Sequence, residues 1–172
     1  MNGAMKHLIL MRHASAGPAA GDRERPLSAA GQSEAQRMGR ALAAFSASGF
    51  RPERALVSPA RRAQETLAGV RSGLHSLAAA QTDEALYLGS PGQLLARLQQ
   101  LPDETAQLLL VGHNPGLSEL AQLLVGRAEA GGLAPAACAA LRIESMSWRD
   151  LAPGCAELVE LLRPGHAQAR RE

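Results

Sequence analysis

Three short stretches combine residue types able to handle a phosphoryl group: Arg12-His13, Ser58-Pro59-Ala60-Arg61-Arg62 and Gly112-His113-Asn114-Pro115. A neutral imidazole offers a lone pair for nucleophilic or base chemistry near physiological pH. A guanidinium never deprotonates, and its planar fork pairs with phosphate oxygens two at a time. Each stretch follows a short continuous apolar run, Leu8 to Met11, Ala55 to Val57 and Leu108 to Val111. Such runs suit strands buried on both faces. Ligands of open parallel sheets bind beyond the carboxyl ends of the strands. The three junctions therefore predict one dianion pocket at a single sheet edge, built from Arg12, His13, Arg62 and His113.

Neighbouring residues divide into functional and structural roles. Arg61 and Glu65 are spaced i,i+4 and read as a helix-surface ion pair, whereas Arg62 stands beside the buried stripe and is the better phosphate ligand. His7, inside the first strand, and His75, at a helix end, read as structural. Ser58-Pro59 and Asn114-Pro115 each read as an N-cap followed by proline at the first helical position. Helix starts of that kind present free N–H groups and partial positive charge, which suit a phosphate. Zinc is the rival use for two histidines, and it needs three or four ligands. Arg12 and Arg62 would repel the ion, no H-E-x-x-H or C-x-x-C is present, and Glu84 is the stray carboxylate available. The expectation is a site with no metal and no cofactor.

The elements that must position these residues alternate. After the first strand, Gly17 to Glu24 is a Gly/Ala/Pro and charged stretch that reads as a mobile loop. Ser28 can cap a helix striped by Ala35, Met38, Leu42 and Phe45. A helix with Ala63, Leu67, Val70 and Leu74 follows the second strand, and a Pro/Gly-bounded helix carries Leu94, Leu98 and Leu101. The third strand leads to a helix with Leu117, Leu120, Ala121 and Leu124. Ala139 to Ile143 and Glu157 to Leu162 read as two further strands. Strands alternating with helices predict a three-layer α/β/α sandwich on a mostly parallel central sheet.

At 172 residues the chain fits a single domain, 1–172, with its core over about 6–163 and a frayed tail over 164–172 that includes His166, Arg170 and Arg171. Aromatics make up only 2%, so the core must rest on Leu, Val and Ala. A formal charge of +2 gives no basic stripe for nucleic acid. The apolar run before Arg12 is too short for a signal peptide, and no run approaches the ~20 residues of a membrane helix. The expected location is cytoplasmic, with Cys138 and Cys155 as ordinary thiols.

The motifs resemble a known family. Leu8-Ile9-Leu10-Met11-Arg12-His13 is similar to the opening motif of the histidine phosphatase superfamily, whose fold is that of phosphoglycerate mutase. Ser58 to Thr66 looks like its second motif, in which the Arg before Ala binds phosphate, and Val111 to Pro115 looks like its third. Arg25-Pro26-Leu27-Ser28-Ala29-Ala30-Gly31 resembles a segment of the short SixA-like phosphohistidine phosphatases. The resemblance runs in order from residue 8 to about 125. It implies His13 as the nucleophile, with Arg12, Arg25, Arg62 and His113 around the phosphoryl oxygens and Glu84 as general acid. The family's usual Arg-His-Gly is departed from at Ala14, which suggests a different loop exit.

An imidazole leaving group needs less help from an acid than an alkoxide. The segments here also look too short for the inserted lids of relatives that act on sugar phosphates. The expected substrate is therefore phosphohistidine on a partner protein. The alternatives are a small phosphomonoester and, in another class, a phosphate- or phosphoprotein-binding module without turnover.

Overall fold

A computed structural model of the chain describes residues 5–128 and 132–165. The tail residues His166, Arg170 and Arg171 lie outside the described residues. In chain order the elements are β1 (Met5–Arg12), α1 (Ala29–Phe45), β2 (Arg54–Val57), α2 (Arg61–Arg71), β3 (Ala79–Thr82), α3 (Pro91–Leu98), β4 (Gln107–Gly112), α4 (Gly116–Val125), β5 (Cys138–Glu144) and β6 (Ala156–Leu162). They build one six-stranded sheet of order β3-β2-β4-β1-β5-β6. β1 to β4 run parallel, β5 lies antiparallel to β1, and β6 antiparallel to β5. The sheet is therefore mostly parallel, as the alternating pattern predicts.

Alternation along the strands divides the core in two. Ile9 and Met11 of β1, Ala55 and Val57 of β2, and Leu109 and Val111 of β4 pack with the buried faces of α1 and α2. Leu8 and Leu10, Leu56, and Leu108 and Leu110 point the other way and pack with α3 and α4. Successive strand side chains point to opposite faces, so a strand covered by helices on both sides must be apolar throughout. The runs read from the sequence are buried for this reason. Ser28 is the N-cap of α1, its hydroxyl accepting from the Gly31 N–H at 3.1 Å.

The sequence pattern misses β3. Its four residues are all exposed, so no apolar alternation marks it, and it is held by backbone pairing with β2 from Arg54↔Ala79 to Val57↔Thr82. The helix starts also differ from expectation. The N-cap of α2 is Ala60 and that of α4 is Pro115, so each helix opens beyond the cap-proline pair. Ser58 and Asn114 remain on the strand-to-helix turn, where Ser58 serves His113 while Asn114 still accepts the Ser118 N–H in the first turn of α4.

Candidate active site

Sheet order decides which strand ends meet. β2, β4 and β1 are neighbours and parallel, with Val57 paired to Val111 and Arg12 to Gly112. Backbone pairing continues one residue past the strands: His13 N–H donates to the Gly112 carbonyl at 3.0 Å and Ser58 N–H to the Val111 carbonyl at 3.1 Å. His13, Ser58 and His113 therefore leave the same edge of the sheet side by side. The rings of His13 and His113 lie 5.1 Å apart between centroids.

Arg62 ties the two histidines together. It lies in the first turn of α2 and is only 3% exposed. Its Nε donates to His13 Nε2 at 3.3 Å, and its Nη2 donates to His113 Nδ1 at 3.3 Å. A guanidinium has no lone pair to offer, so both ring nitrogens must be acceptors. The opposite nitrogens then carry the protons: His13 Nδ1–H donates to the Ala14 carbonyl at 2.8 Å, and His113 Nε2–H donates to Ser58 Oγ at 2.7 Å. Both imidazoles are thus held neutral with defined tautomers. Burial lowers the His13 pKa to about 4, with Arg62, Arg12 and Arg25 adding to the effect against the Ala14 hydrogen bond. Burial lowers that of His113 to about 3, helped by His13 and Arg62.

The remaining cations ring this pair. Arg12 donates from Nη1 to the Leu133 carbonyl at 3.1 Å, and its Nε is buried without a partner among the described residues. Arg25 donates from Nε to the Gly17 carbonyl at 3.1 Å, and its Nη1 stands 3.6 Å from Asp22 Oδ1. Arg61 makes the expected surface pair, its Nε 2.7 Å from Glu65 Oε1. His7 packs on Phe50 with ring centroids 4.5 Å apart, at the amino end of β1 away from the site. His75 falls in the turn beyond α2.

The exit after His13 is pinned rather than loose. Ala14 N–H donates to Thr66 Oγ1 at 3.0 Å, and Ser15 gives both its N–H and its hydroxyl to the Glu34 carboxylate. Ala14 does not adopt a positive φ, and its methyl is buried in the core. The change from the family's glycine therefore costs no backbone strain here. Gly31 shows why α1 begins where it does, because a Cβ there would meet the Ser15 carbonyl oxygen at 1.9 Å. Only glycine lets the helix start sit directly beneath this exit.

Three residues at the site escaped the sequence reading. Ser58, taken for a helix cap, spends its hydroxyl on His113 and accepts the Ala60 N–H at 3.3 Å. Tyr87 stands edge-on to the His113 ring at 5.6 Å. Asp22 accepts from Arg62 twice, through its carbonyl from Nη1 at 2.7 Å and through Oδ2 from Nη2 at 3.1 Å, and Oδ2 also accepts from the Tyr87 hydroxyl. The Tyr87 hydrogen bond, followed by Arg62, holds the Asp22 carboxyl below the usual carboxylate range. The i,i+3 spacing of Asp22 and Arg25 was the available signal.

Two expectations change with this geometry. The stretch from Gly17 to Glu24 is tethered: besides the Asp22 contacts, Gly17 N–H donates to the Pro26 carbonyl and Arg61 N–H to the Arg23 carbonyl. Polar composition alone cannot distinguish a free loop from one whose backbone is bound elsewhere. Two amides at the start of α4 are also spent within the protein. Leu117 N–H donates to the His113 carbonyl and Ser118 N–H to Asn114 Oδ1 at 3.2 Å, so the cationic side chains, rather than these amides, face an anion.

Glu84 lies outward. Its side chain is 71% exposed and pairs with Arg23 at 2.9 Å, and no hydrogen bond or ion pair among the described residues joins it to either histidine. Among the described residues no group of three or more His, Cys, Asp and Glu side chains is placed to hold a metal ion. Cys138 is buried and Cys155 partly so, and both are free thiols. No helix among the described residues is long and apolar enough to cross a membrane.

Comparison with known proteins agrees with this arrangement. Residues 8–87 match the histidine phosphatase superfamily (branch 1). An uncharacterised protein of Mycobacterium tuberculosis strain H37Rv is 34% identical over 160 residues, covering 87% of this chain and 96% of that one. A SixA structure from Nakamurella multipartitia is 27% identical with a TM-score of 0.80, covering 93% of this chain and 96% of its own. The protein histidine phosphatase SixA complexed with tungstate is also 27% identical, with a TM-score of 0.78 over 94% of this chain and 99% of its own. With the motifs in order and the two histidines clamped by one arginine at the sheet edge, the chain belongs to the histidine phosphatase superfamily, in its short SixA-like branch.

Proposed function

We propose that the chain is a phosphatase that removes the phosphoryl group from phosphohistidine on a partner protein, through a covalent phosphohistidine on His13. Family membership and the SixA neighbours support phosphatase activity. The observation that carries the reading is the pair of hydrogen bonds from Arg62 to His13 Nε2 and His113 Nδ1.

In the first step His13 Nε2 attacks phosphorus, the bond from phosphorus to the leaving atom breaks, and the electron pair leaves with the imidazole of the substrate. The phosphorylated His13 ring is then cationic, with its Nδ1–H already donated to the Ala14 carbonyl, a partner suited to that charge. In the second step water attacks phosphorus, the bond from phosphorus to His13 Nε2 breaks with its electron pair returning to the now neutral ring, and the water's protons leave with the phosphate. Splitting one displacement into two lowers each barrier. Arg12, Arg25 and Arg62 spread positive charge toward the equatorial oxygens, where charge accumulates in the transition state, and His113, whose Nδ1 accepts from Arg62, orients that guanidinium.

Substrate choice rests on the acid. A strong, well-placed proton donor is needed to expel an alkoxide and less so to expel an imidazole. Glu84, the acid implied by the resemblance, is paired with Arg23 at the surface.

The test combines the chain with a phosphohistidine-bearing protein and with small phosphomonoesters, each with and without excess EDTA. Faster turnover of the phosphoprotein, unaffected by chelator, and an acid-labile label on the wild-type chain that His13→Ala lacks are expected. A clear preference for a sugar phosphate would replace the substrate assignment. Binding without turnover of any substrate would leave a phosphate-binding module.

A further inference from the structure

The outer edge of the Arg62 guanidinium is already occupied by an anion of the same chain. Nη1 and Nη2 donate in parallel to the carbonyl and the Oδ2 of Asp22, the two-pronged geometry with which guanidinium grips phosphate. A phosphoryl group attached to His13 Nε2 must lie next to Arg62, because Arg62 Nε is 3.3 Å from that nitrogen. A phosphoryl group there meets the Nε–H and the inner Nη2–H, now given to the two histidines, while Asp22 keeps the outer edge and offsets part of the guanidinium charge beside it.

Asp22 has other attachments. The Tyr87 hydroxyl donates to its Oδ2, and Arg25 Nη1 stands 3.6 Å from Oδ1. Tyr87 is itself capped by Arg23, whose guanidinium carbon lies 4.2 Å from the ring centroid. Together with Arg62, these contacts hold the carboxylate at the rim of the pocket. Half of the Asp22 side chain is open to solvent, so the charge faces incoming substrate.

We propose that Asp22 is a specificity-determining residue: its carboxylate, held on the outer edge of Arg62 beside the phosphoryl site, is a fixed negative charge that weakens the grip on phosphate and favours neutral or cationic leaving groups over anionic ones. The inference deepens the proposed function, since the imidazole of phosphohistidine is neutral or protonated when it departs. Its own test is independent of that substrate, because it rests on leaving-group charge alone.

The experiment compares wild type with Asp22→Asn, using phosphoethanolamine and phosphoglycolate, small monoesters of similar size whose leaving groups differ in charge. Wild type should favour phosphoethanolamine in kcat/KM. Asp22→Asn should cut that preference about 10-fold, chiefly through a lower KM for phosphoglycolate, and should tighten inhibition by inorganic phosphate about 3- to 10-fold, with both effects shrinking at high salt. Tyr87→Phe, which loosens the tether and keeps the carboxylate, should move both quantities less and in the same direction, and it remains informative if Asp22→Asn does not fold. Weaker phosphate inhibition in Asp22→Asn, or an equal loss of kcat on both esters, would overturn the proposal and leave Asp22 as a support for Arg62. Retained ester discrimination in a wild-type chain that ignores phosphohistidine proteins would uphold Asp22 while removing the phosphohistidine assignment.

Discussion

Arg62 Nε donates to His13 Nε2 across 3.3 Å, so the proposed nucleophile is held neutral by the same group that would receive the phosphoryl charge. That bond marks Nε2 as the unprotonated nitrogen before reaction, and it must yield as the lone pair attacks phosphorus, which frees the Arg62 N–H for the phosphoryl oxygens.

Loss of that nucleophile should be total in function and mild in structure. His13→Ala or His13→Asn is expected to abolish turnover of every substrate while the chain melts cooperatively, since the ring belongs to the pocket and not to either apolar cluster. Turnover near the wild-type rate in either variant, measured with a phosphomonoester, would remove the covalent mechanism.

The adjacent arginines of α2 should behave very differently. Arg62→Ala is expected to cost on the order of 10²-fold or more in kcat/KM by removing transition-state charge stabilisation. Arg61→Ala should cost little, because Arg61 is exposed, Glu65 keeps its bond from the Leu27 N–H, and such pairs contribute about 0–1 kcal/mol. The opposite ranking in steady-state kinetics would put the phosphate ligand on the wrong residue.

Ser58 should matter through His113. Its hydroxyl accepts the His113 Nε2–H, which leaves Nδ1 with the lone pair facing Arg62. Ser58→Ala removes the acceptor and should lower kcat on the order of 10-fold through misorientation of the ring, with Ser58→Thr restoring part of it. A variant with wild-type kcat and an unchanged acid limb would reduce Ser58 to a packing role.

Acid should act on stability and activity in one direction. With His13 at about 4 and His113 at about 3, against an ordinary 6.5, the unfolded chain binds protons between roughly pH 3 and 6.5 that the folded chain does not. Stability should therefore rise with pH through that window and be fully present above it. Activity should hold well below pH 6 and fall as His13 titrates near 4. Chemical denaturation from pH 4 to 7 checks the first part, and its slope should diminish in His13→Asn; a slope that is flat in the wild-type chain would contradict the buried neutral imidazoles.

Much of this site is legible in the chain alone. Continuous apolar runs at Leu8 to Met11, Ala55 to Val57 and Leu108 to Val111 demand strands covered on both faces, because each exposes side chains alternately to the two sides. The residues that follow such runs emerge at a carboxyl edge, and Arg12-His13, Arg62 and His113 are recognisable there by type and local order. The split between Arg61 and Arg62 is equally local, since helical spacing sends one toward Glu65 and the other toward the buried side.

Tertiary structure decided the rest. That His13 and His113, one hundred residues apart in sequence, share one arginine follows from β1 and β4 being sheet neighbours, which local pattern does not encode. Edge strand β3 carries no apolar signature because it buries no face, and only its pairing with β2 reveals it. Ser58 and Asn114 both look like caps by composition, yet only Asn114 satisfies a first-turn amide, of Ser118, whereas Ser58 is held short of α2 and takes the His113 ring. Asp22 and Tyr87 sit in polar or irregular segments whose local sequence is compatible with many placements. Their meeting on Arg62 is a long-range hydrogen-bonding event, chosen by the packed strands and helices that bring the segments together.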